Sequence, residues 1–169
     1  MKKVLSYLMI AAVAVLICAS CSKDGDDGNI DTLDELYRSK NIVKYGEKDY
    51  SVTSSRLMDY GDTYKNGTYS YGIQFILDGS DSKFVEIDIL LAGAAFPEGA
   101  KIYNFSVSHA AGTMDAFFYR IGEDVSEKDG DLMGGSATVT KTGNTCEISF
   151  SATTPDGKKF SGYYRGTIK

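Results

Sequence analysis

Tyr69-Ser70-Tyr71-Gly72-Ile73-Gln74-Phe75-Ile76-Leu77 is the stretch that decides the fold. Tyr69, Tyr71, Ile73, Phe75 and Leu77 recur at every second position, with Ser70, Gly72 and Gln74 between them. Successive side chains of a strand point to opposite faces, so this period of two puts one apolar face against a core. Asp78-Gly79-Ser80-Asp81 is turn chemistry, and the next run repeats the pattern from Phe84 to Leu91. There Val85, Ile87, Ile89 and Leu91 face inward, while Glu86 and Asp88 face outward.

The same reading extends in both directions. Upstream, Ile42 to Tyr45 and Tyr50 to about Tyr60 form a hairpin around Gly46-Glu47-Lys48-Asp49. Downstream, Gly93 to Gly99 is a loop around Phe96-Pro97, and strands follow over Lys101 to Phe105 and Met114 to Ile121. An acidic loop, Gly122 to Asp131, precedes a meander of Ser136 to Lys141, Thr145 to Ala152 and Lys159 to Ile168. Thr142-Gly143-Asn144 and Pro155-Asp156-Gly157 are its turns. Gly162 and Gly166 share a face with Phe160, Tyr164 and Ile168, which marks a bulge or a close backbone contact. About nine short strands without a strong helix predict an all-β fold, an antiparallel β-sandwich or flattened barrel. Because each strand has one polar face, the sheet is expected to pack against another sheet. The chain has no tryptophan, so it lacks the Gly-x-Trp motif of true lipocalins, while a barrel without that motif stays open.

The amino terminus reads differently. Lys2 and Lys3 precede an apolar run, Val4 to Ile17, that is short for a membrane span. Ile17-Cys18-Ala19-Ser20-Cys21 then resembles the lipobox of bacterial lipoproteins, with Cys18 where leucine is usual. The resemblance implies a signal peptide over residues 1–20 and acylation of Cys21, the anchor being two or three lipid chains rather than a helix. An ordinary secretory peptide or an uncleaved helix is the alternative. Residues 21–40 would hold the acylated cysteine, the acidic tether Ser22 to Asn29 and a short amphipathic helix, Asp31 to Tyr37, on which Leu33, Leu36 and Tyr37 share a face. The acidic tether is similar to the export signal of lipoproteins of the Bacteroidetes, with a plain spacer as the other reading. Asp31-Thr32-Leu33 matches the short motif that this phylum O-glycosylates.

Residues 41–169 form the single domain. Tyr45-Gly46-x-x-x-Tyr50, Met58-Asp59-Tyr60-Gly61, Pro97-x-Gly99-x-x-Tyr103 and Asp156-Gly157 followed by Phe160-x-Gly162-x-Tyr164-x-Gly166 resemble the small, uncharacterised β-sandwich lipoproteins of the Bacteroidetes. The resemblance implies an outer-membrane protein, lipid-anchored and facing the cell exterior. Its motifs are turn chemistry and carry over no catalytic residue.

Charge and cysteine content exclude several classes. The formal net charge is −5, and loss of Lys2 and Lys3 with a signal peptide takes it to −7, a surface that repels phosphate backbones and speaks against nucleic-acid partners. Of three cysteines, Cys18 and Cys21 belong to the leader and anchor, so Cys146 has no partner within the domain. Alternating with Ile148 and Phe150, it reads as a small buried side chain, and neither a disulfide framework nor a cysteine-ligated zinc site fits.

Few residues offer chemistry. His109, the one histidine, lies near Ser106, Ser108 and Asp115, but no Gly-x-Ser-x-Gly elbow accompanies them, and His109 reads as a polar loop residue. In the acidic loop, Asp124, Asp129 and Asp131, with Glu123, are candidate calcium ligands. They miss the EF-hand register, because Lys128 and Asp129 fall where a ligand and a glycine are required, so a solvated loop is the expectation and no metal is assigned. Glu86 and Asp88 stand two apart on one face, which brings two carboxylates near each other as in a glycosidase pair, and read as an exposed sheet face. The tyrosines are the strongest binding signal, since flat rigid rings stack on sugars and peptides. Most, including Tyr103, Tyr119, Tyr163 and Tyr164, belong to packing, leaving Tyr60 and Tyr64 as the exposed pair. The expected role is a non-catalytic, lipid-anchored cell-surface binding or accessory module for protein or glycan, with no cofactor. A calycin-like carrier of a small hydrophobic ligand is the alternative, and a hydrolase comes third.

Overall fold

A computed structural model describes residues 40–126 and 132–169. The signal segment, Cys21, the tether, the Asp31 to Tyr37 helix, and Asp129 and Asp131 lie outside the described residues. Ten strands follow in order: β1 (Ile42–Tyr45), β2 (Lys48–Gly61), β3 (Tyr69–Leu77), β4 (Ser80–Leu91), β5 (Gly99–Phe105), β6 (Thr113–Ile121), β7 (Asp124–Val125), β8 (Gly134–Thr142), β9 (Thr145–Thr153) and β10 (Lys159–Thr167). Several start earlier than the apolar pattern suggests, because their turns are tighter. Asp78 and Gly79 both take positive φ, 51° and 70°, which is the geometry of a two-residue hairpin loop, so β4 begins at Ser80. The acidic loop starts with a short hairpin, β6 to β7, that its polar sequence does not announce.

Neighbouring strands run β4-β3-β2-β1-β10-β9-β8-β5-β6, and β6 pairs back onto β4. Nine strands therefore close into a barrel, with β7 an extra strand on β6. All pairings are antiparallel except the short one between β5 and β6, which joins Asn104 to Thr113 and Phe105 to Met114. No second sheet is needed, because closure makes the apolar face pack against itself and leaves no long open edge.

The inward alternation predicted for β3 and β4 places Ile73, Phe75, Leu77, Val85, Ile87 and Ile89 in the interior, each at most 1% exposed. Aromatic rings fill its axis. Phe75 stacks on Phe150 at 5.5 Å, Phe150 touches Phe117 at 6.0 Å, and Phe117 meets Phe160 at 5.0 Å. Such pairs contribute about 0.5–1.5 kcal/mol each beyond their burial. Gly162 is the close contact its sequence suggests: a Cβ there would overlap the Phe150 ring.

Cys146 faces this interior at 5% exposure, and burial raises its thiol pKa. Native protein should therefore resist thiol reagents that label it after denaturation, since the thiolate is the reactive form. Cys146→Ser should lower stability in urea by about 1–3 kcal/mol, because a hydroxyl would be buried. Rapid labelling of native protein contradicts this packing.

Candidate functional site

The chemistry gathers on the outside of the barrel, over the middle of β4. Glu86 pairs with Gln74 of β3 and Phe118 of β6, and Asp88 pairs with Gly72 and Ala116. Two register slips add residues that the strand pattern does not place. Between Asp59↔Tyr71 and Gly61↔Ser70, Tyr60 is the extra residue; between Asp88↔Ala116 and Ile89↔Met114, it is Asp115. Bulges re-aim side chains in this way.

Gly72 makes the floor. Without a Cβ it admits Tyr60 from β2 and the carboxyls from β4; a Cβ there would lie 2.9 Å from the Tyr60 ring and 3.0 Å from Asp88 Oδ1, and would overlap Glu86 Oε1. The Tyr60 hydroxyl donates to Glu86 Oε1 at 2.5 Å, and Gln74 Nε2 donates to Glu86 Oε2 at 2.9 Å. The loop from 62 to 68 holds its own shape, since the Asp62 carboxylate accepts from the amides of Asn66 and Gly67 at 3.1 and 3.0 Å. It presents Tyr64, whose hydroxyl donates to Asp115 Oδ2 at 2.7 Å. His109, in the left-handed region at φ 51°, stacks on Tyr64 at 4.1 Å with Nδ1 3.6 Å from Asp115 Oδ2.

The result is an acidic floor under an aromatic roof. Glu86 is 5% and Asp88 8% exposed, and the Asp115 side chain 3%, whereas Tyr60 and Tyr64 remain 46% and 40% exposed. Glu86 and Asp88 thus point outward as predicted but do not form an exposed sheet face, because the roof covers them. Burial first, then the neighbouring Glu86 and Asp115, push Asp88 up to about 8. Burial and the bond to Asp115 push Tyr64 up to about 12, and burial and Glu86 raise Tyr60 well above the ordinary phenol range. Asp88 Oδ1, Asp115 Oδ1 and His109 Nδ1 are buried without a hydrogen-bond partner, and all three belong to this cluster.

Other candidates are engaged elsewhere. Ser106 and Ser108 bond each other through their hydroxyls at 2.8 Å, while His109 turns to Tyr64 and Asp115. Asp124 accepts from the Tyr45 hydroxyl at 3.1 Å and from Lys158 Nζ at 3.2 Å. Among the described residues no group of three or more His, Cys, Asp or Glu is placed to hold a metal ion. Tyr103, Tyr119, Tyr163 and Tyr164 are buried. At the opposite end of β2 lies a half-open cavity of about 820 Å³, lined by Tyr45, Lys48, Tyr50, Lys83, Asp124 and Lys158 among others, which is not legible in the sequence because three separate turns and β4 build it. No family model, curated protein or solved structure matches the chain.

The Glu86 and Asp88 carboxyls converge on the place a Gly72 Cβ would take and lie under the Tyr60 ring. A glycosidase pair instead keeps its carboxyls about 5 Å or more apart with the sugar between them. What the arrangement offers is two half-open rings held rigid by charged acceptors, and one carboxyl that keeps its proton near neutrality.

Folding raises the Asp88 pKa, so its contribution to stability is complete below about pH 4 and is lost as pH rises toward about 8. Urea denaturation should show stability falling by up to about 1.4 kcal/mol per pH unit across that window. Asp88→Asn, which cannot ionise, should flatten the slope. Equal slopes for both proteins contradict the assignment.

Proposed function

We propose that this protein is a lipid-anchored binding or accessory module of the cell surface that meets a protein or glycan partner through Tyr60 and Tyr64. One observation carries the reading: both rings stay about half open while their hydroxyls are fixed on buried carboxylates. Rings immobilised beforehand lose little conformational freedom when they stack on a ligand. The anchor is Cys21 and the membrane the outer one, with the acidic tether holding the domain away from it. The net negative charge disfavours a nucleic-acid partner.

A closed barrel is also compatible with a calycin-like carrier of a small hydrophobic ligand. The interior gives that reading less support, since Phe75, Phe117, Phe150, Met114 and Leu77 occupy the space a ligand would need. A hydrolase has less still, because among the described residues Ser106 and Ser108 bond each other and His109 faces Asp115 and Tyr64.

Cys21→Ser should abolish metabolic labelling with radioactive palmitate; persistent label contradicts the lipid anchor. On a glycan array, the Tyr60→Ala/Tyr64→Ala variant should lose at least tenfold of the wild-type signal while keeping its β-sheet circular dichroism. Undiminished signal in a folded double variant removes the pair from the binding face.

A further inference from the structure

Carboxyl groups crowded together out of water require a proton, a cation or readmitted water. Here Glu86 and Asp88 converge over Gly72, and Asp115 comes from the bulge of β6 beside them. The groups facing Asp88 can be named element by element. β4 contributes Glu86, β6 contributes Asp115, and β3 contributes the neutral Gln74 amide, which is held by Glu86. β2 contributes the Tyr60 hydroxyl, the loop after it Tyr64, and the loop before β6 contributes His109, which faces Asp115. Arg120, further along β6, lies over the Phe84 ring at 5.8 Å. Asp88 Oδ1 and Asp115 Oδ1 are buried without a hydrogen-bond partner, and a proton on one carboxyl relieves the crowding.

What covers the cluster is held in place through its two hydroxyls. Below it is the closed, apolar barrel wall; above it are Tyr60 and Tyr64, fastened by one hydroxyl each to Glu86 and Asp115, with His109 stacked on the outer ring. Lifting this roof breaks two hydrogen bonds and one ring contact, whereas β4 beneath it is paired on both sides.

We propose that Glu86 and Asp88 form a proton-operated latch: with Asp88 protonated and bonded to Glu86 the Tyr60–Tyr64 roof is closed, and loss of that proton to solvent releases it. Ionisation of Asp88 turns the one donor of the pair into an acceptor, leaving adjacent carboxylates with no proton between them. Water reaches them once Tyr60 leaves Glu86 and Tyr64 leaves Asp115, and it satisfies Asp88 Oδ1 and Asp115 Oδ1 at the same time. Local opening of this kind needs no unfolding of the barrel. The raised pKa of Asp88 sets the midpoint near pH 8. As control over access to the tyrosine face, the latch rests on the binding reading above; as a movement of the roof it stands alone, and the experiment reads only the movement.

Lys65 sits at the crest of the roof, between Tyr64 and Asn66, and supplies a tryptic site there. Cleavage of the full chain after Lys65, followed by mass spectrometry and normalised at each pH to a small peptide substrate, should rise at least tenfold from pH 6.5 to 9. Asp88→Asn, which retains a donor toward Glu86, should keep the pH 6.5 rate throughout. A wild-type rate that does not change, or an equal rise in the variant, overturns the latch. Should the variant not fold, ring signals of Tyr60 and Tyr64 in wild-type NMR spectra decide: both move with a shared midpoint near pH 8, or the latch is wrong. Cleavage with this profile alongside a blank glycan array would retain the latch and discard the binding reading.

Discussion

The ladder between β4 and β6 is the constraint on which the rest of the molecule depends. It joins Phe84 through Ile89 to Arg120 through Met114 and turns an open sheet into a closed one. Without it, β4 would be an edge, and the apolar faces of nine strands would need some other cover. With it, Val85, Ile87 and Ile89 complete a ring-filled interior whose side chains are almost wholly excluded from water. The same ladder has a consequence on the opposite face. A central strand has neighbours on both sides, so Glu86 and Asp88 are flanked by β3 and β6, and the slip that accommodates closure brings Asp115 beside them.

Much of the architecture was legible in the sequence because the signals that specify it are local. The period of two in Tyr69 to Leu77 and Phe84 to Leu91 assigns every inward residue of β3 and β4, and turn residues bound most of the other strands. Closure was not legible, since both a sandwich and a barrel require strands with one apolar face; only the pairing of β4 with β6, distant in sequence, distinguishes them. The two-residue β7 was hidden for a related reason. Asp124 and Val125 gain strand geometry from the hairpin with β6 and not from any pattern of their own.

The site divides along the same line. Tyr60, Tyr64, His109, Asp115, Glu86 and Asp88 each stand out in the sequence, but as separate curiosities. Periodicity says that Glu86 and Asp88 leave the core; it cannot say that a tyrosine from β2 and another from the following loop will cover them. Gly72 is the residue that makes the cover possible, and in the sequence it is only a glycine on a polar face. A buried donor or acceptor without a partner costs about 1–3 kcal/mol, so a cluster that gathers three of them opposes stability. Polar groups arranged this way are more easily understood as serving a change of state than as serving the resting fold.

The raised pKa of Asp88 is the direct physical consequence of closure, Gly72 and the tyrosine roof acting together. Its most direct measurement is a carboxyl titration by NMR on protein labelled with 13C at aspartate side chains, with Asp88→Asn assigning the resonance. The account predicts that Asp88 titrates with an apparent midpoint near pH 8, far above the ordinary aspartate range. A midpoint near 4 would mean that the carboxyl is solvated, and that Glu86, Asp88 and Asp115 do not share a covered site.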